Sequence, residues 1–250
     1  MKALILAAGQ GTRIRSTHGE HPKCLITFNR DRWTILDQQI QSLRLAGVTE
    51  IGIVVGYEKD QIIQHVTKHY WQSLNRFKFI ENAHFADTNN IYSLWLARDW
   101  LKGHSFVTLN ADVVFASAIL PPAISSVSPI TMIVDPTWRD ETMKVIIRGN
   151  RIVQMSKEII REDFNATYIG ATVFHSRIAG RFLEKLDQLI HGGQKQIFFN
   201  AGVQQLIEEG VWVGYTETGG HPWAEIDDAR DLALARLYVF PKLLTTEIAA

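Results

Sequence analysis

One cysteine, Cys24, stands alone in 250 residues. It leaves no intramolecular disulfide and fits a reducing compartment. Neither charge is in excess, with 26 Lys and Arg against 26 Asp and Glu, so the basic footprint of a nucleic-acid or anionic-membrane partner is missing. No apolar run approaches the roughly 20 residues of a membrane-crossing helix. The apolar segment after Met1-Lys2 is short and ends in glycines, so it reads as a strand rather than a signal peptide. Repeats, low-complexity tracts and Ser/Gly-rich linkers are missing as well. Nine histidines show no metal-ligand spacing, and no Ser-His-Asp or Cys-His arrangement stands out. What remains is 46% hydrophobic and 21% charged, an ordinary globular balance. The expectation is a cytoplasmic protein with no membrane and no nucleic-acid partner.

The first half alternates apolar runs with helical periodicity. "KALILAA" reads as a buried parallel strand ending at Gly9. Thr34 can cap a helix with Asp37 three residues on, and Leu36, Ile40 and Leu43 share a face before Gly47 stops it. "EIGIVVG" is a strand, and Ile62, Ile63 and Val66 mark a helix. "RFKFIEN" is a strand, "NNIYSLWLARDWL" a helix capped by Asn89 or Asn90, and "SFVTLNADVVF" a further strand. After Pro121-Pro122 the pattern turns antiparallel. "ITMIVD" is followed by "KVIIR" and "RIVQMS", a hairpin closed by Gly149-Asn150, and then by the strand "TYIGATVFH". Two helices, the strand "VWVGYTE" and a last helix from Asp228 complete the chain. These elements predict an α/β three-layer sandwich with a mixed, mainly parallel, Rossmann-like sheet. One domain over 1–250 is expected, its half 1–120 carrying the strand–helix alternation and its half 121–250 the antiparallel strands.

The stretch "LILAAGQGTRIRSTHGEHPKCLI" carries the chemistry. A P-loop needs Lys-Ser/Thr directly after its last glycine, and Lys23 is too distant and precedes Cys24. A dinucleotide fingerprint needs glycine where Ile14 stands, and Asp31 follows a polar loop instead of ending a second strand. What is left is a strand and a flexible loop whose backbone N–H groups can face a nucleotide, with Arg13 and Lys23 as cations. A plain strand-to-helix turn with a surface Arg and Lys is the structural alternative.

With Pro22-Lys23-Cys24-Leu25, the loop resembles the "LAAGxGTR…PKxL" signature of the nucleotidyltransferases that make NDP-sugars and CDP-alcohols. "LNADVVF" resembles that family's strand ending in a metal-binding aspartate, with Ala111 where many members have glycine. "WAEIDDARDL" resembles its second metal-binding segment. "FADTNNIYSLWLA" and "YIGATVF" are most similar to bacterial phosphocholine cytidylyltransferases.

The resemblance implies CMP transfer from CTP to a small phosphorylated amino alcohol, releasing pyrophosphate. The alternatives are a sugar-1-phosphate enzyme using UTP, dTTP or GTP, and an inactive nucleotide-binding relative. Leu6, Ala8, Gly9, Gly11 and Thr12 are then expected to line the nucleotide, with Asn82 at base or ribose. Arg13 meets the β- and γ-phosphates and Lys23 the α-phosphate. Asp112 ligates Mg²⁺ with Asp227, or with Asp228 if Asp227 is the helix cap. A phosphate dianion, with its second pKa near about 6, is already nucleophilic and needs no general base. On the acceptor side, Lys157 can meet the phosphate, and the rings of Tyr92, Trp95, Trp138, Tyr168 and Trp223 an ammonium. Asp140, Glu158 and Glu225 are the carboxylates nearby, while the tyrosine and tryptophan of "NNIYSLWLA" can equally be core.

Overall fold

Alternate residues of the first strand feed two different cores. In β1 (Lys2–Ala7) every residue is buried. Ala3, Ile5 and Ala7 pack with Leu36, Ile40, Ile62 and Val66 on one face, while Leu4 and Leu6 pack with Ile91, Leu94 and Leu101 on the other. A strand covered by helices on both faces shows no polar alternation, which is why "KALILA" is apolar throughout. The computed structural model describes residues 1–14, 19–28 and 33–247, with side chains to 244; Asp31 lies outside the described residues.

β2 (Glu50–Val55), β3 (Phe77–Glu81) and β4 (Phe106–Asn110) complete a parallel block in the order β3-β2-β1-β4. The helices Ile35–Leu45 and Lys59–His69 lie between the first strands in sequence. The first has the capping box read from the sequence: Thr34 Oγ1 accepts from Asp37 N, and the Asp37 carboxylate accepts from Thr34 N. Asn89, not Asn90, caps the helix Asn90–Leu96, and Arg98–Leu101 is a separate helical turn.

The run "SFVTLNADVVF" is not one strand. It breaks at Ala111-Asp112, and β5 (Val113–Phe115) leaves the main sheet to pair antiparallel with β11 (Trp223–Glu225). The second half adds β6 (Ile130–Asp135), β7 (Lys144–Arg148), β8 (Arg151–Ser156), β9 (Ala166–Phe174) and β10 (Val213–Glu217). β9 runs antiparallel to β4 and β6, and β6 parallel to β10. β7 and β8 form the expected hairpin around Gly149-Asn150, and β7 also pairs with the start of β9. The helices Ser176–His191 and Asn200–Glu208 pack on the face of Leu4 and Leu6. The result is the expected three-layer α/β arrangement with a mixed sheet.

β1 continues toward β2 on one side and is flanked by β4 on the other. The chain direction therefore switches between the carboxyl ends of β1 and β4, where open α/β sheets form a crevice for ligands.

Candidate active site

Two carboxylates arrive at that crevice through one short ladder. Asp112 directly precedes β5, and Asp227 follows β11 by two residues. Val113 pairs with Glu225, and Ile226 N donates to the Asp112 carbonyl at 2.9 Å. The register of this two-stranded sheet thus fixes the two side chains against each other although they are far apart in sequence.

Lys23 stands between them. Its Nζ lies 2.9 Å from Asp227 Oδ1 and 3.5 Å from Asp112 Oδ2. Arg13 reaches the same Asp227 Oδ1 at 2.9 Å. Burial lowers the tendency of Lys23 to hold its proton, but the two carboxylates outweigh it and raise its pKa. Asp227 runs opposite: burial would raise it, yet Lys23 and Arg13 hold it below the usual carboxylate range. Asp112 is raised, by burial and by Asp227 against the pull of Lys23. Burial, then Asp112 and Asp227, push Glu225 up to about 8.

Asp112 Oδ1 is buried and has no hydrogen-bond partner among the described residues. An orphaned carboxylate oxygen is costly, about 1–3 kcal/mol, unless a cation or water satisfies it. With Asp227 beside it, the donor set is hard oxygen, which fits Mg²⁺. Asp228 is used differently. Its carboxylate accepts from Arg230 N and Asp231 N, capping the helix Ala229–Tyr238, so the two aspartates of "IDD" divide the tasks between them.

A cavity of about 250 Å³ opens over this centre. Leu6, Ala8, Gly9, Gly11, Arg13, Lys23, Asn82, Asp112, Lys157, Glu225 and Asp227, all singled out in the sequence, line it. Gly11 is required twice over: its φ is +58°, and a Cβ there would stand 2.8 Å from Lys23 Cγ. Ala111 takes the family's glycine position without a positive φ, so the backbone there does not require glycine. Asn82 is buried, and its amide is committed to Thr88 Oγ1, Ser93 Oγ and His84 N. It shapes the wall more than it offers free donors. Burial pushes the Cys24 thiol up to about 12, so it is no nucleophile at neutral pH.

Several expected acceptor residues stand elsewhere. Tyr168 is buried core; its hydroxyl accepts from Thr172 Oγ1 at 2.9 Å, and it does not reach the cavity. Tyr92 stacks on Trp95 with centroids 5.3 Å apart and does not line the cavity, nor does Thr12. Trp138 and Asp140 are hydrogen-bonded to each other and line an adjoining cavity of about 700 Å³, which shares Arg13, Glu225 and Asp227 with the first. Sequence reasoning missed Phe85, Asn110 and Phe198 in the first cavity and Arg139 in the second. Asn110 had a readable signal, as the last residue of a strand before a site aspartate. The others come from loops whose course no periodicity sets.

A mixed sheet with a glycine loop at its switch point, facing a lysine clasped by two aspartates, defines a nucleotidyltransferase. The chain belongs to the family described as "MobA-like NTP transferase domain", which matches residues 3–197. It is 26% identical to the CTP:phosphoglutamine cytidylyltransferase of Campylobacter jejuni, over 93% of this chain and 98% of that protein. It is 38% identical to the choline-phosphate cytidylyltransferase of Streptococcus pneumoniae over 45% of this chain and 44% of that one. The solved structure of a CTP:phosphocholine cytidylyltransferase from Streptococcus pneumoniae superposes with a TM-score of 0.76 at 25% identity, covering 94% of this chain and 97% of that one.

Proposed function

We propose that this protein transfers CMP from CTP to a small phosphorylated acceptor and releases pyrophosphate. The observation that carries the reading is the lysine held between Asp112 and Asp227 at the floor of a cavity walled by the glycine loop. One oxygen of the acceptor phosphate forms a bond to the α-phosphorus, and the bond from that phosphorus to the β-bridging oxygen breaks, its electron pair leaving with pyrophosphate. Backbone groups of Ala8, Gly9 and Gly11 position the nucleotide. Arg13 meets the β- and γ-phosphates, and Lys23 meets charge on the α-phosphate as it develops. Asp112 and Asp227 would hold Mg²⁺, which when bound neutralises phosphate charge. Lys157 meets the acceptor phosphate.

The choice of CTP is supported by the names of the relatives, which act on phosphoglutamine and phosphocholine. A phosphorylated amino alcohol such as phosphocholine is therefore one candidate acceptor. Pyrophosphate release from CTP, UTP, dTTP and GTP, each offered with several small phosphates and a sugar 1-phosphate, tests the reading. CTP paired with a small phosphate is the expected combination; turnover confined to a sugar 1-phosphate with another triphosphate would overturn it.

A further inference from the structure

The rings on the acceptor side already carry cations of the chain itself. The Arg139 guanidinium lies 4.2 Å from the Trp223 ring centroid. Lys144 and Arg161 lie 4.8 Å and 5.5 Å from that of Trp138, and Lys195 lies 5.7 Å from that of Tyr92. An incoming ammonium would have to displace one positive charge and sit beside the next.

Arg139 is the cation of this set that shares a cavity with Glu225 and Asp227. Its platform is fixed. Trp223 is 7% exposed, and its indole N–H donates to Asp135 Oδ2 at 2.9 Å; the same oxygen accepts from the Thr218 hydroxyl. Arg13, by contrast, is paired with Asp227 at 2.9 Å. Among the described residues Arg139 has no carboxylate within 4.0 Å, and neither does Lys157, whose Nζ lies 4.7 Å from the Phe198 ring centroid in the first cavity. The joined cavities therefore present two cations that no carboxylate of the described residues contacts directly, with Glu225 acting on Arg139 and Asp227 on Lys157 only at longer range. One suffices for the acceptor phosphate. The second is a planar guanidinium on a rigid ring, whose forked donors match a carboxylate.

We propose that the acceptor is a phosphate ester that also carries a carboxylate, and that Arg139 binds this carboxylate while Lys157 binds the phosphate. The proposal rests on the cytidylyltransferase reading. The carboxylate takes no part in bond making; it orients the acceptor so that a phosphate oxygen faces the α-phosphorus.

The test compares kcat/KM, with CTP and Mg²⁺, within two pairs of acceptors. O-phosphoserine differs from phosphoethanolamine, and 3-phosphoglycerate from glycerol 3-phosphate, by the carboxylate. The carboxylate member of at least one pair is expected to be favoured about 10- to 100-fold, the range of a charge-assisted hydrogen bond. Arg139→Leu is expected to bring that ratio near parity, and Arg139→Lys, which keeps charge but not the fork, to leave it in between. Equal or better turnover of the carboxylate-free members, or of phosphocholine, would overturn the proposal. So would an unchanged ratio in Arg139→Leu. No pyrophosphate from CTP with any acceptor, by protein shown folded by circular dichroism, would overturn the underlying reading and this proposal with it.

Discussion

The Lys23 ammonium lies 2.9 Å from the Asp227 carboxylate, a contact between residues separated by 204 positions in the chain. It places a cation at the meeting point of the glycine loop and the β5–β11 ladder, where the proposed transfer needs charge to be neutralised. Lys23→Ala is expected to lower kcat about 10²- to 10³-fold, as loss of one transition-state contact does. KM for CTP is expected to change little. Steady-state kinetics checks this, and a raised KM with near-normal kcat would remove Lys23 from the transition state.

Asp227 and Asp228 are neighbours with separable tasks. Asp227→Asn is expected to lower turnover at least about 10²-fold and to raise the Mg²⁺ concentration needed for half-maximal rate. Asp228→Ala is expected to keep most of the turnover while losing about 1 kcal/mol of stability, the usual cost of an N-cap. A metal titration and a urea melt on both variants separate the two effects.

Gly11→Ala tests the loop rather than a charge. The added methyl group meets Lys23 Cγ at 2.8 Å, and the positive φ adds strain. Turnover is expected to fall by about tenfold or more, as small misplacements of a catalytic group do, and the left-handed backbone to cost about 1–2 kcal/mol of stability, with the fold retained by circular dichroism. Full activity would show that Lys23 tolerates displacement.

Away from the site, Asp37 ties the helix Ile35–Leu45 to its neighbour. Its carboxylate accepts from Thr34 N, His65 Nε2 and the Tyr70 hydroxyl. Burial works to raise its pKa, but these partners, His65 first, hold it below the usual range. A depressed folded pKa means that this stabilisation is complete above the unfolded pKa of about 3.9 and is lost as pH falls through the lower folded value. Asp37→Asn is expected to cost about 1–3 kcal/mol at neutral pH, and to flatten the loss of stability below pH about 4. Urea midpoints at several pH values check both.

The main elements were legible because their causes are local. "KALILA" announces a two-sided strand, Thr34 with Asp37 a capping box, and Gly149-Asn150 a hairpin. The break at Ala111-Asp112 was not legible, since β5 turns away to meet β11, which lies more than a hundred residues later. The same holds for the acceptor side. Tyr168 and Trp138 are equally aromatic in sequence, but one fills the core and the other lines a cavity. The charge covering each ring comes from separate segments: Lys144 and Arg161 over Trp138, Arg139 over Trp223. A motif fixes what its own backbone does; it does not fix which distant cation arrives on top of it.

Direct attack of the acceptor phosphate on the α-phosphorus is tested by the stereochemical course of transfer. Among the described residues, neither the thiol nor the amine of the site is an activated nucleophile: Cys24 is buried with its pKa pushed up to about 12, and Lys23 is held protonated by two carboxylates. With CTP made chiral at phosphorus by an α-thio substitution, a single displacement inverts the configuration in the cytidylyl product. Inversion is the expected result. Retention, the mark of two displacements through a covalent enzyme intermediate, would contradict it.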